Sequence, residues 1–552
     1  LPEGRVKDIP QLCLLGPDSK PVPCQFTPQC RWPDGSIKWV LLDFQADVGA
    51  GKEAEYVLCM GKDAAAVREP VKVAGGRLET GNLKLGIETN MAQLIHTVSL
   101  NGTNLVDAEY PVQVELVDGS NRVYRASKPD KVVVESAGPM RATILVKGHF
   151  EAEDGGIVHS GKVGYDLRIH AYAGKPYVRL AFTLRNDGWY GYRNEGRNHP
   201  RQWLQIKSLR LDVPVAGMAA GAGVCAKLGG NEVSISSGQK ASAIQWYKYP
   251  TETTRGRLDE TRDATNDLAR AALAGLKKEH KGFYWTCDTA ATNAATPGIL
   301  PGWAELRGAN GVLAGMAVRR FRQNFPAGFS AEVTTNSTVL SFLMFPPGGY
   351  WPRTDKACET QTSQFEGGRH KTAELLLWFG PESAAASNMV NTLEQPLFAR
   401  APTAWYRDTG AVIPLARAGL TADDKELAEA MGRYDRLQRA KVILDVGDPA
   451  GTDTFGRDAW GKVSIPSLWE RAPDEFQGWM NYGDLIWAFG YCSLYYDWPY
   501  SMLQQHLRLG DREFFDVASD MIRHRYDIDQ YHVENTEPHL GGFQRYEKGE
   551  HG

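Results

Sequence analysis

No stretch of this sequence approaches the roughly eighteen consecutive apolar residues that a membrane-crossing helix needs, so a helical span is excluded. Cysteine is scarce. Eight among 552 residues are too few for a disulfide scaffold, and none sits in a CxxC, which removes zinc-ribbon and haem-attachment chemistry. Cys13, Cys24 and Cys30 do crowd one loop-like stretch, CLLGPDSKPVPCQFTPQC, and spacing alone leaves open both a bridge among them and three buried thiols. Charge of one sign is also lacking: 62 basic and 66 acidic residues are spread evenly, for a net charge of −4, with no run suited to nucleic acid or an anionic membrane. GxGxxG, P-loop, GxSxG and HExxH signatures do not occur in a supporting context, which argues against nucleotide, kinase, serine-hydrolase and zincin chemistry. The chain starts at Leu1 with neither an initiator Met nor a signal-peptide pattern. It is expected to be a processed or trimmed product, extracellular or periplasmic in location.

A length of 552 residues predicts two to four domains, each with its own core. In residues 1–75, RWPDGSIKWVLLDF places a Pro-Asp-Gly turn between apolar runs, and EAEYVLCMG follows; this predicts a hairpin in a small β-domain. Arg31, Trp32, Asp34 and Trp39 read as structural there. From 76 to 400 short runs of period two recur between Gly, Asn and Asp turns, with no amphipathic helices between them. That pattern predicts a large antiparallel β-sandwich. A polar excursion near 250–300 interrupts it as a helix-containing insert or a loop. Helical spacing takes over in 401–552: Leu427, Ala430, Met431 and Tyr434 share a face, and so do Met502, Leu503 and Leu507. A break at Gly510-Asp511 follows, then Phe514, Phe515, Ala518, Met521 and Ile522. Repeated helix pairs of this kind make toroids, and about 150 residues hold only the first part of one. The 15 Trp and 22 Tyr suit stacking on sugar rings as well as a large core.

Five segments carry a family resemblance: RWPDGSIKWVLLDF; LRIHAYAGKPYVRLAFTLRND at 167–187; AVRRFRQNFPAGF at 317–329; FEGGRHKTAELLLWFG at 365–380; and NYGDLIWAFGYCSLYYDWPYSMLQQHLRLGDREFFDVA at 481–518. In this order the chain resembles the exo-rhamnogalacturonan lyase family. That resemblance implies a RIFT-type small N-terminal β-barrel, a β-sandwich and an (α/α) toroid, here incomplete. It also implies a polysaccharide lyase that cleaves a rhamnogalacturonan-like or other uronate-containing glycan by β-elimination, with no organic cofactor.

Such a reaction removes the proton α to a carboxylate. It needs a base, an acid for the leaving oxygen and a group that neutralises the carboxylate. The histidine-bearing stretch that follows the helical hairpin supplies those types. His532, His539, His551, Tyr482, Tyr496 and Tyr546 are the candidate base and acid, and Arg525 or Arg545 the candidate carboxylate partner. The run around Asp484, Trp487, Asp497 and Trp498 could line a sugar subsite or pack the toroid core. His532, His539, Glu550 and His551 match no zinc spacing, and a divalent cation such as calcium has no specific support. Arg369-His370-Lys371 reads first as a solvated turn and second as a basic patch meeting an acidic sugar. The polar, aromatic loop after Asn186 reads as a cleft wall or a long exposed connection. Two other functions share these features: a glycoside hydrolase using Asp484 and Asp497, and a non-catalytic glycan-binding surface protein that self-associates or takes a second chain to complete the toroid.

Overall fold

The computed structural model describes residues 1–61, 63–188, 193–194, 197–198, 203–216, 224–247, 283–289, 293–308, 311–348, 362–380, 386–413, 415, 425–442, 485–487, 490–492, 497–530 and 532. The polar excursion at 251–280 lies outside them.

The expected N-terminal hairpin is present. Cys24–Arg31 pairs antiparallel with Ile37–Phe44 across the Pro-Asp-Gly turn, and the Asp34 carboxylate closes that turn by accepting from the Ser36 N–H and hydroxyl. Arg31 donates to the Gly35 and Lys7 carbonyls, and Lys38 lies over the Trp32 ring, so these residues serve the turn. Leu12–Leu15 lies between Pro21–Val22 and Val57–Met60 in a three-stranded sheet, and Val6, Leu12 and Ile37 form the local core. Cys13 stands directly opposite Cys59 in that sheet, while Cys24 and Cys30 carry free thiols. A five-stranded meander follows over residues 71–106.

Among the described residues the body is an antiparallel sandwich of 18 linked strands. Period-two patterning explains it: Val163–Tyr172 and Tyr177–Asn186 turn Val163, Tyr165, Leu167, Ile169, Val178, Leu180, Phe182 and Leu184 into one shared core. In one layer the order Lys131–Ala137, Arg141–Glu151, Val163–Tyr172, Tyr177–Asn186, Arg369–Phe379, Gly311–Val318 is antiparallel throughout. Gly315 allows that packing, since a Cβ there would meet the Trp378 indole at 2.2 Å.

The outer face of this layer is polar at its His370, Thr372 and Glu374 end and apolar at Leu376 and Trp378, where a helix covers it. Helix α1 (Ala386–Glu394) lays Ala386, Met389 and Leu393 on Ala317, Leu376 and Trp378. Helices α2 (Thr403–Asp408) and α3 (Lys425–Val442) follow. Leu427 and Tyr434 of α3 are exposed, contrary to the face expected of it. Helices α4 (Trp498–Leu509) and α5 (Arg512–His524) form the expected hairpin, with Gly510 left-handed at φ 78° as the cap. Met502, Phe514 and Ala518 are its core. Among the described residues no helix is long and apolar enough to cross a membrane.

Candidate functional site

At one end of the polar outer face, three segments distant in sequence meet. Arg185 lies directly opposite His370 in the ladder, and Asn186 opposite Arg369. Just past the strand end, the buried Asn186 side chain donates to the Phe365 carbonyl at 2.9 Å and accepts from the Gly188 N–H at 3.1 Å. This Asx turn holds Asp187 beside His370, whose Nε2 lies 3.0 Å from the Asp187 Oδ1. On the other side Arg185 reaches across Gly164 to ion-pair with Asp166 at 2.7 Å and with Asp187, and it donates to the Gly148 carbonyl. A Cβ at position 164 would meet the Arg185 guanidinium at 2.5 Å, so glycine makes that reach available.

The third segment follows α5. A single π-helical turn, Arg525–Asp529, lies against the Arg369–Phe379 strand and ends in an extended Gln530. From there His532 returns over His370. The two imidazoles stack with centroids 3.6 Å apart and planes 14° apart, and the Tyr526 ring sits edge-on to both. His532 Nε2 donates to the Tyr526 backbone carbonyl. A carbonyl can only accept, so the His532 proton is on Nε2 and its Nδ1 keeps the lone pair. Beneath this turn Asp527, only 1% exposed, accepts from the Thr372 N–H at 2.9 Å and the Thr372 hydroxyl at 3.1 Å.

The electrostatics follow from burial and pairing. Burial works against charge on Asp187, yet the His370 hydrogen bond and the Arg185 guanidinium hold its carboxyl below the ordinary range. His532 is pushed down to about 4, first by burial and then by the neighbouring His370. At neutral pH it is therefore an uncharged base. Lys371 points the other way, into the sandwich, where burial lowers it to about 7 with partial opposition from Asp527. Its Nζ donates to Asn324 and lies 5.6 Å from the centre of the Phe345 ring. The solvated-turn expectation for this tripeptide is thus corrected, because His370 is 6% and Lys371 3% exposed. Partners brought from distant strands cover both side chains.

Among the residues expected from sequence, His532 is in this cluster. Arg525, one residue before Tyr526, pairs with Asp497 at 2.6 Å and so joins the 481–498 run to the π-turn. Asp497 is the N-cap of α4 at φ 52°, with an exposed side chain. Trp498 opens α4 and Trp487 ends a short strand, Leu485–Trp487; the side chains of both lie outside the described residues. Tyr482, Asp484, Tyr496, His539, Arg545, Tyr546 and His551 also lie outside them. Sequence reasoning placed Asp187 only in the loop read as a cleft wall or exposed connection, counted Tyr526 and Asp527 only within the segment that supplies the needed residue types, and gave no role to Arg185. The Asp187–His370 contact spans 183 positions, which no local pattern reveals. Among the described residues no group of three or more His, Cys, Asp and Glu side chains could hold a metal ion.

Residues 71–193 match the family model described as the PcRGLX-like protein central beta sandwich domain. No curated protein matches the chain. Among solved structures, a galactose mutarotase related enzyme from Lactobacillus acidophilus is 10% identical, covering 55% of this chain and 96% of its own, at a TM-score of 0.28. An alpha-mannosidase from Enterococcus faecalis V583 is 10% identical over 73% of this chain and 40% of its own, at 0.33. A TPR-domain containing protein from Parabacteroides distasonis is 9% identical over 93% of this chain and 78% of its own, at 0.29. Scores this low bear on neither the site nor its chemistry.

Proposed function

We propose that this chain is a polysaccharide lyase. It would cleave a rhamnogalacturonan-like or other uronate-containing glycan by β-elimination, with the reaction centre at the stacked pair His370 and His532. The supporting observation is the stack itself, two imidazoles 3.6 Å apart with Asp187 bonded to one of them. His532 is uncharged at neutral pH, and with its proton on Nε2 its Nδ1 keeps a free lone pair.

In this scheme the His532 Nδ1 takes the proton α to the uronate carboxylate. Electrons move toward the carboxylate and expel the glycosidic oxygen, to which the Tyr526 phenol donates its proton. Tyr526 is 47% exposed, so its ring edge is available to a bound sugar. The uronate carboxylate would compete with Asp497 for the Arg525 guanidinium. Arg545, His539, His551, Tyr482, Tyr496, Tyr546 and Asp484 remain proposed members of the same cleft. The proposal includes a small barrel over 1–75, the sandwich over 76–400, an (α/α) toroid beginning at 401, and an extracellular or periplasmic location. The match of residues 71–193 to a PcRGLX-like sandwich domain supports it.

The test is incubation with rhamnogalacturonan and other uronate polymers while the ultraviolet absorbance of the conjugated unsaturated product is followed. Absorbance should rise, and His370→Ala and His532→Ala should each lower kcat by about 100-fold or more. Saturated reducing sugars without that absorbance would select hydrolysis. No depolymerisation of any uronate polymer would overturn the lyase assignment.

A further inference from the structure

We infer that Asp527 is a positioning residue: its carboxylate occupies the ladder rung that the Gly311–Val318 strand vacates, and so fixes the π-turn that sets Tyr526 and His532 against His370.

The register carries the argument. The Gly311–Val318 strand pairs with Arg369–Phe379 from Ala314 opposite Phe379 down to Val318 opposite Leu375, and the Arg319 N–H then bonds the Glu374 carbonyl at 2.9 Å. After that rung the chain turns away. Arg320 is left-handed at φ 53°, its N–H bonds Glu394 of α1, and its guanidinium faces Asp520 of α5 at 3.5 Å. Alternate residues of an edge point their N–H groups the same way, so Thr372 presents its N–H where the next rung would have been. A buried N–H without an acceptor is costly, and Asp527 supplies the acceptor. The Thr372 hydroxyl bonds the second oxygen and also lies 2.9 Å from the Thr183 hydroxyl, which extends the clamp across the ladder.

This clamp is specific to its place. Asp527 is the carboxylate at the centre of the Arg525–Asp529 turn, and Tyr526 immediately precedes it. The Tyr526 backbone carbonyl is the acceptor for His532 Nε2, and the Tyr526 ring is edge-on to both imidazoles. Displacement of Asp527 therefore moves the phenol and the acceptor of His532 together. Arg523, one turn back, faces both Asp527 and Glu374, so the guanidinium reinforces the same junction. The role rests on the lyase assignment only for the identity of the reaction; the geometry stands without it.

The experiment compares Asp527→Leu, which keeps the branched heavy-atom shape and removes both acceptors, with Asp527→Asn, which keeps one acceptor for the Thr372 N–H. The first readout needs no substrate: imidazole titration by NMR in the full chain. Wild type and D527N should keep His532, assigned through His532→Phe, titrating near 4 alongside His170 of the sandwich. D527L should return it to about 6.5, the ordinary histidine value. The second readout is kcat and KM on the cleaved polymer: D527L should lose about 100-fold in kcat with KM changed by less than about threefold, and D527N should recover most of it. An unshifted His532 titration in folded D527L overturns the inference. So does global unfolding of both variants, which would make Asp527 a folding determinant instead. Absence of activity in wild type would overturn the lyase assignment and leave the titration test intact.

Discussion

Glu374 lies next to the His370 end of the sheet and shows how charge is handled there. Arg179, Arg319 and Arg523 converge on one carboxylate that is 16% exposed, and although burial opposes its charge they hold it down to about 2. Removing that charge leaves three guanidiniums crowded in a half-buried site. Glu374→Gln should therefore destabilise the protein by about 3–5 kcal/mol at neutral pH, measured as a shift in denaturant midpoint at constant m-value. The folded-state carboxyl is depressed, so its stabilisation is complete above the unfolded value of 4.5 and disappears as pH falls toward about 2. The difference between E374Q and wild type should narrow over that same window. A difference that stays constant with pH would mean that packing, not charge, sets the cost. None of this was legible in AELLLWFG, where a lone glutamate before an apolar run looks like an ordinary exposed position of a strand. His532 was identifiable as a residue type that the chemistry needs, but its partner His370 was hidden inside a basic tripeptide that resembles a turn.

At the scale of elements, the helical hairpin was the most legible feature because two local signals agree on it: 3.6-residue spacing and a glycine placed for a left-handed cap. The predicted apolar stripe was nonetheless too wide. Phe514, Ala518, Met521 and His524 are buried, whereas Phe515 is 37% and Ile522 43% exposed. Spacing of i, i+4, i+7 and i+10 is a narrow seam, and Phe514 and Ala518 on it pack against Met502 of α4. Phe515 instead packs its ring beside Phe398 and His506. Phe514 is then the anchor of the hairpin, fully buried among Met502, Ala518 and Leu509. Phe514→Ala should cost roughly 3–5 kcal/mol of hairpin stability. Hydrogen exchange should show it as lost protection in α4 and α5 while the Val163–Tyr172 and Tyr177–Asn186 strands keep theirs. Equal loss in the strands would mean that hairpin and sandwich unfold as one unit. The strands themselves were readable from period two, but which strands are neighbours was not. Register depends on contacts such as Tyr177 with Trp378, separated by about two hundred residues of chain.

Across the whole molecule, the helical segment is held to the sandwich largely by titratable groups, which makes the attachment pH-sensitive in a way the apolar sandwich core is not. The groups work in opposite directions. Burial raises Asp520, Asp527 and Glu394 above their ordinary values, so each carries a penalty at neutral pH that eases as the folded state takes up its proton. Asp187 and Glu374 are lowered, and their contribution fades as pH falls below the ordinary carboxylate values, for Glu374 toward about 2. His532 titrates first among those lost. Its folded value of about 4 lies below the ordinary histidine value of 6.5, so the detached segment binds a proton that the docked one refuses, and docking weakens as pH falls from 6.5 to 4. Hydrogen exchange corrected for its intrinsic pH dependence should show α5 and the turn to His532 losing protection between pH 6.5 and 4. His532→Phe, which keeps a ring stacked on His370, should flatten that loss. His170, in the sandwich and also near 4 through burial and the Arg179 and Arg141 charges, is common to both proteins and cancels in the comparison. If the H532F variant retains the full loss of protection, the histidine stack does not govern the attachment, and the raised carboxylates beneath the π-turn cannot be its cause, since their effect has the opposite sign.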